Sequence, residues 1–148
     1  MIVVTGSAGF IGSVFLWKLN QMGHRDIILV DEFETGAKWK NTTKSQFTRI
    51  IHKNDFIHTL STDRSTASAI TALVHMGACS STTEGDVDYL IKNNINYSQD
   101  LFTFCAERNI PYIYASSAAT YGNGDNGYED DPTLLESLRP INAYGWSK

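Results

Sequence analysis

The feature that most constrains this chain is Gly6-Ser7-Ala8-Gly9-Phe10-Ile11-Gly12, set directly after the apolar run Ile2-Val3-Val4-Thr5. The β-branched run predicts a strand, and the glycine-rich stretch behind it predicts a tight turn feeding an amphipathic helix. Each glycine has its own reason. Gly6 permits the sharp exit from the strand. Gly9 has no Cβ, so the backbone can lie against a pyrophosphate, and Gly12 lets the helix sit close to the sheet. An anion there would meet free N–H groups at a helix N-terminus, favoured by the helix dipole. Strand, glycine turn and helix in that order predict a dinucleotide site.

The 148 residues suffice for one sizeable domain. With 42% hydrophobic and 19% charged residues, a net charge of −4 and no basic cluster, nucleic acid is not an expected partner. No apolar run reaches the ~20 residues of a membrane span. The first strand starts at Ile2 and leaves no room for a secretory leader, so no membrane partner is expected and the expected location is cytoplasmic. Cys79 and Cys105 are too few for a disulfide framework and read as reduced thiols.

The rest of the chain alternates strands with helices. Ile11, Phe15, Leu19 and Met22 recur at helical spacing, and Gly23 fits a helix stop. Ile27 to Val30 read as a strand covered on both faces. It ends at Asp31, whose carboxylate is placed to accept from a ribose hydroxyl. A polar stretch, 32–46, carries Lys38 and Lys40, and a third strand over 47–51 is followed by Lys53. These lysines would favour the 2′-phosphate of NADP, while Asp31 and Glu32 argue for NAD. A helix broken at Ser61-Thr62-Asp63 spans 54–70, and a fourth strand, 72–76, runs into Gly77 to Glu84. His75 within it reads as structural. No His or Cys partner stands at metal-ligand spacing, so no metal is expected.

The longest helix runs from Val87 to about Asn109, on a stripe of Leu90, Ile91, Asn94, Ile95, Ser98, Leu101, Phe102 and Cys105. One of Asn93 and Asn94 would bond inward. A fifth strand, 112–115, leads to Ser116-Ser117, a long loop over 123–140, and a helix starting after Asn142. The alternation predicts an α/β fold: a doubly wound parallel sheet of Rossmann type in the order 3-2-1-4-5, with the cofactor across its carboxyl edge.

Tyr144 and Lys148 carry the chemistry. At i and i+4 they would share a helix face. A phenol titrates near pH ~10, and a neighbouring ammonium favours the phenolate, as a proton acceptor at neutral pH requires. Ser117 could hydrogen-bond the substrate's reacting oxygen.

The motifs T-G-S-A-G-F-I-G (5–12), Y-A-S-S-A-A-T-Y-G (114–122) and N-A-Y-G-W-S-K (142–148) resemble those of the extended short-chain dehydrogenase/reductases that act on nucleotide sugars. The glycine spacing, G-x-x-G-x-x-G, is of that type. G-A-C-S-S-T-T-E (77–84) narrows the resemblance to the ADP-L-glycero-D-manno-heptose 6-epimerases. It covers the whole chain but only about the first half of such an enzyme. It implies a bound NADP, with NAD as the other form. The cofactor would be lined by Phe10, Ile11, Asp31, Glu32, Lys38, Lys53, Met76, Gly77, Ala78, Cys79, Ser80 and Asn93 beside the three turn glycines. Tyr144 and Lys148 would serve cofactor and catalysis, and Ser117 and Ser81 the substrate, an ADP-heptose.

The reaction so implied inverts C6 of the heptose by transient oxidation and re-reduction, in the pathway that supplies the lipopolysaccharide core; the complete enzyme would be a homo-oligomer. A second acid/base lysine, the last strands and a substrate domain would lie outside residues 1–148. The final helix would then be frayed, and the 148 residues alone inactive. Glu32 stands where the family has a neutral residue, and His75-Met76 where it has His-Glu. A nucleotide-sugar 4-epimerase would share the turn, serine and Tyr/Lys pair, and a non-catalytic NADP-binding module is the reading from another class. A 4,6-dehydratase would need an Asp-Glu pair where Ala118-Ala119 stand.

Overall fold

The computed structural model describes residues 1–148. The chain divides into two compact units, one of residues 1–77 with 100–115 and one of 78–99 with 116–148.

The first unit is built on five parallel strands: β1 (Ile2–Thr5), β2 (Ile27–Asp31), β3 (Arg49–His52), β4 (Ala72–His75) and β5 (Tyr112–Tyr114). Their order is β3-β2-β1-β4-β5, as the alternation of strands and helices requires. Ile2 pairs in register with both Ile27 and Ala72, so β1 is central. Central strands are covered on both faces, and Val3, Val4, Ile27, Ile28, Leu29 and Val30 have no exposed surface. The third strand begins at Arg49 rather than Phe47; Phe47 instead packs against the core of Val4, Leu16, Leu19, Ile27, Leu29 and Val74.

Helix α1 (Phe10–Gln21) turns Gly12, Leu16 and Leu19 inward. Ile11 and Met22, assigned to its inner stripe from spacing, are exposed, while Phe15 packs against the core. The reason is the close seating of Gly12: with that residue against the turn, its neighbour Ile11 is rotated about 100° away. The helix ends in a Schellman arrangement, His24 N–H to Leu19 O and Gly23 N–H to Asn20 O, with Gly23 at φ 92°. The expected break separates α2 (Lys53–Thr62) from α3 (Arg64–Ala69), because Asp63 accepts from the Thr66 N–H and caps the second.

His75 is buried, its Nδ1 2.5 Å from Thr5 Oγ1 and its ring stacked near Tyr112 and Tyr114. That is a structural histidine.

The helix expected over 87–109 is α4 (Val87–Leu90), a π-helical stretch (Ile91–Asn96) and α5 (Tyr97–Glu107). Leu90, Asn94, Leu101, Phe104 and Cys105 are buried, whereas Phe102, placed on the stripe from spacing, is exposed and meets Tyr112 edge-on at 5.9 Å. A wider turn shifts the phase of everything beyond it, so a 3.6-residue extrapolation misplaces Phe102.

In the second unit the stretch 123–140 is less irregular than its composition suggests. A 3₁₀ segment, Pro132–Ser137, is capped by Asp131, and Asn126 Nδ2 donates to Ser137 O at 2.6 Å. Gly122, Gly124 and Gly127 all take positive φ, as tight reversals require.

Candidate functional site

In the first unit the three turn glycines are packed backbone on backbone. A Cβ on Gly12 would collide with the Gly6 carbonyl oxygen, and one on Gly6 would lie 2.6 Å from Gly77 N. A Cβ on Gly9 would meet only Gly6 O, at 3.2 Å. Gly6 and Gly12 therefore serve closure of the turn, whereas Gly9 presents bare backbone. Gly9 also stands at the N-cap of α1, and no side chain caps that end. Phe10, the first helical residue, is 85% exposed. The Ser7 hydroxyl inside the turn is buried without a partner. An uncapped helix N-terminus beside a bare backbone fits a pyrophosphate group.

The acids at the end of β2 differ from each other. Asp31 is buried: Oδ2 accepts from Ala8 N–H at 2.7 Å, and Oδ1 accepts from Glu32 N–H at 2.7 Å and pairs with Lys38 Nζ at 2.7 Å. It braces the glycine turn. Asn41 adds a bond from Nδ2 to Ala8 O at 2.8 Å. Glu32 is more open, and Lys53 Nζ lies 2.5 Å from its Oε2. That hydrogen-bonded ammonium holds the Glu32 carboxyl below its ordinary range, outweighing the opposite push of burial. Met76 and Gly77 follow β4 directly, and Gly77 N–H donates to Thr5 Oγ1 at 3.1 Å.

In the second unit, Asn94 is the inward asparagine. It is 1% exposed, accepts from Cys79 N–H at 2.8 Å, and donates from Nδ2 to Cys79 O at 3.1 Å and to Ser147 Oγ at 2.9 Å. Ser147 Oγ donates onward to Tyr144 O at 2.8 Å. Asn93 touches this set through Nδ2, 3.1 Å from Asn94 Oδ1. The loop after β4 and the turn carrying Tyr144 are thus held by one side chain.

Helix α6 (Ala143–Trp146) is a single turn, too short to persist alone. The fraying expected from its length is not what the structure has. Asn142 Oδ1 accepts from Gly145 N–H at 2.7 Å, and an added Cβ on Gly145 would lie 2.5 Å from Ala119 O. The turn is seated on the 3₁₀ segment Ala118–Tyr121, which Ser117 caps by accepting from Ala119 N–H at 3.2 Å. Beyond Trp146 the winding tightens, Lys148 N–H donating to Gly145 O at 3.3 Å. Tyr144 is buried, and burial pulls the Lys148 ammonium below the ordinary lysine value. Ser80 and Ser81 are exposed, with Ser81 Oγ 3.2 Å from Thr83 Oγ1.

The Tyr/Lys spacing, taken together with the glycine turn and the serine stretch, singles out Tyr144, Lys148 and Ser117 in the sequence. It did not bring out Ser147, because a serine among polar neighbours carries no periodic signal.

The model of the NAD dependent epimerase/dehydratase family matches residues 2–148. The chain belongs to this family. Among relatives of this epimerase/dehydratase chain is the ADP-L-glycero-D-manno-heptose-6-epimerase of Fusobacterium nucleatum subsp. nucleatum. It is 52% identical over 150 residues, an alignment covering 100% of this chain and 45% of that protein. The crystal structure of the Helicobacter pylori ADP-L-glycero-D-manno-heptose-6-epimerase superposes with a TM-score of 0.73 at 28% identity, covering 99% of this chain and 46% of that one. The UDP-glucuronic acid 4-epimerase from Bacillus cereus, solved in complex with NAD, gives 0.76 at 28% identity, covering 99% and 48%. The chain spans about half the length of the curated relatives it matches. No helix is long and apolar enough to cross a membrane.

Proposed function

We propose that this chain is the dinucleotide-binding and proton-transfer part of an ADP-L-glycero-D-manno-heptose 6-epimerase, within the route to the lipopolysaccharide core. The observation that carries the reading is similarity along the whole chain, at 52% identity, to a protein named for that activity. Residues 1–148 would form the cofactor domain. The nicotinamide cofactor, when bound, supplies a hydride acceptor for oxidation at C6 and a hydride donor for reduction on the opposite face.

The residues divide the remaining work. The N–H groups after Gly9, from Phe10, Ile11 and Gly12, take the pyrophosphate. Met76, Gly77, Ala78, Cys79, Ser80 and Asn93 line the cofactor, as the family resemblance implies, and Ser81 contacts the sugar nucleotide. Tyr144 takes the proton of the C6 hydroxyl as the ketone forms, and the second acid/base lysine that the family resemblance implies supplies the proton on reduction. The ammonium of Lys148, lowered by burial, stabilises the phenolate. Ser117 Oγ accepts from Ala119 N–H, which leaves its own proton for the reacting oxygen.

The test is an NMR assay of the protein carrying this sequence, with an ADP-heptose as substrate. Interconversion of the C6 epimers, reduced ~100-fold or more by Tyr144→Phe, is expected. Inversion at C4 of a UDP-sugar with no action on ADP-heptose would replace this reading with a 4-epimerase. Saturable dinucleotide binding with no turnover of either substrate would replace it with a binding module.

A further inference from the structure

We propose that the cavity beside the 3₁₀ segment Lys38–Thr42 is a second ligand site, for a small molecule with a planar aromatic body and one anionic group, whose occupancy is felt at the glycine turn. The cavity has a volume of about 450 Å³, within the roughly 300–1,000 Å³ of small-molecule sites. Phe33, Trp39, Phe47 and Ile50 form its apolar wall. Trp39 is 51% exposed and Ile50, on the edge strand β3, is 45% exposed. Thr42, Thr43 and Ser45 complete the lining. Thr42 Oγ1 already donates to Trp39 O at 2.8 Å and Thr43 Oγ1 to Lys40 O at 2.9 Å, which leaves the Ser45 hydroxyl for a guest. Two cations set the sign of that guest. Lys40 Nζ stands 5.9 Å from the centroid of the Trp39 ring, and Lys44, between the lining residues Thr43 and Ser45, is exposed. Neither has a carboxylate within ion-pair distance, whereas Lys38 and Lys53 are paired with Asp31 and Glu32. An aromatic anion matches both, its rings stacking on Trp39 and its charge meeting two uncommitted ammonium groups.

The 3₁₀ segment both separates this cavity from the glycine turn and joins the two. Side chains three apart eclipse in such a helix, so Lys38 shares a face with Asn41, and Trp39 with Thr42. The first pair looks to the turn. Lys38 Nζ holds Asp31, whose Oδ2 accepts from Ala8 N–H, and Asn41 Nδ2 donates to Ala8 O at 2.8 Å. The second pair, a third of a turn round, lines the cavity. Lys40 and Thr43 take the remaining face and are exposed. A guest seated against Trp39 and Thr42 therefore restrains the same short segment that holds Ala8 from both sides of its backbone.

The experiment is fluorescence titration of the 148-residue chain with 8-anilinonaphthalene-1-sulfonate, and with N-phenyl-1-naphthylamine as the same ring system without the charge. Saturable binding of the sulfonate is expected, with the neutral compound at least about threefold weaker. Trp39→Ala should weaken the sulfonate about tenfold or more. Lys40→Gln combined with Lys44→Gln, both on the surface, should bring the sulfonate down to the level of the neutral compound. Saturating NAD should leave the sulfonate bound, and hydrogen exchange at the Ala8 amide should slow at least about threefold when it binds. Unchanged affinity in a Trp39→Ala chain that melts as the parent does overturns the proposal. So does equal binding of the charged and neutral compounds by the unmodified chain, or an unchanged affinity in the doubly substituted one. Displacement by NAD would make the probe's site part of the dinucleotide site, and binding that fades as the chain concentration rises would make a second copy the occupant; either overturns it. An unchanged Ala8 exchange rate with the probe bound overturns the link to the turn.

Discussion

Replacing Asn94 by alanine tests whether the second unit is organised as its hydrogen bonds indicate. Besides the bond from its helix neighbour Asn93, Asn94→Ala deletes three bonds across the unit, to Cys79 N, Cys79 O and Ser147 Oγ. At about 1 kcal/mol net per bond the loss is about 3 kcal/mol. Ser147 is 4% exposed, and a buried group left unsatisfied costs about 1–3 kcal/mol, so the expected total is about 4–6 kcal/mol. That is a large part of the ~5–15 kcal/mol that keeps a domain folded. With a urea m-value of about 1–3 kcal/mol/M, the midpoint should fall by at least about 1 M. Asn94→Leu fills the space without the bonds and should do equal damage. Asn94→Asp keeps the acceptor for Cys79 N–H but sets a carboxylate against Cys79 O, so it should do no better than alanine. Hydrogen exchange at the Cys79 amide should accelerate in the alanine and leucine variants. The reasoning fails if alanine shifts stability by less than about 0.5 kcal/mol, or if leucine restores the native midpoint.

The glycine turn separates closure from access. Gly12→Ala puts a Cβ against the Gly6 carbonyl and should destabilise by about 1–3 kcal/mol or more, seen as a lower melting temperature. Gly9→Ala meets only Gly6 O at 3.2 Å, so melting should change little while dinucleotide affinity falls about tenfold or more, checked by calorimetry. Hydrogen bonds from Thr66 and Ser65 hold the Asp63 carboxyl well below its ordinary value. A depressed folded-state pKa stabilises fully above the unfolded value and is lost as pH falls through the folded one. Asp63→Ala should therefore lower the melting temperature at pH 7, and the gap to the parent should narrow below about pH 4. Cys105 is buried, which pushes its thiol up to about 11, whereas Cys79 is half-buried. Thiol labelling at pH 8 should show one fast and one slow site, merging on addition of denaturant.

The strand order, the glycine turn, the interrupted second helix and the cap Asn142 were legible because each depends on local chemistry. A β-branched run, a residue with no Cβ, or a side-chain oxygen three residues from a backbone N–H carries its meaning in a few neighbours. Tyr144, Lys148 and Ser117 stand out as candidates for a related reason: the proposed chemistry would need those groups at such a spacing. What the sequence could not determine was which of several equivalent residues turns inward and which charges meet. Leu16 rather than Ile11 faces the core because Gly12 is seated on Gly6, and Phe102 turns outward beyond a π-helical stretch that no composition signals. Asp31 and Glu32 are adjacent acids in the sequence, yet one braces the turn and the other stands more open with Lys53. Four residues of helix cannot hold themselves, so the position of Tyr144 came from Asn94, Ser147 and Ala119. Spacing encodes what a residue can do; only packing between segments far apart in the chain decides which residue does it.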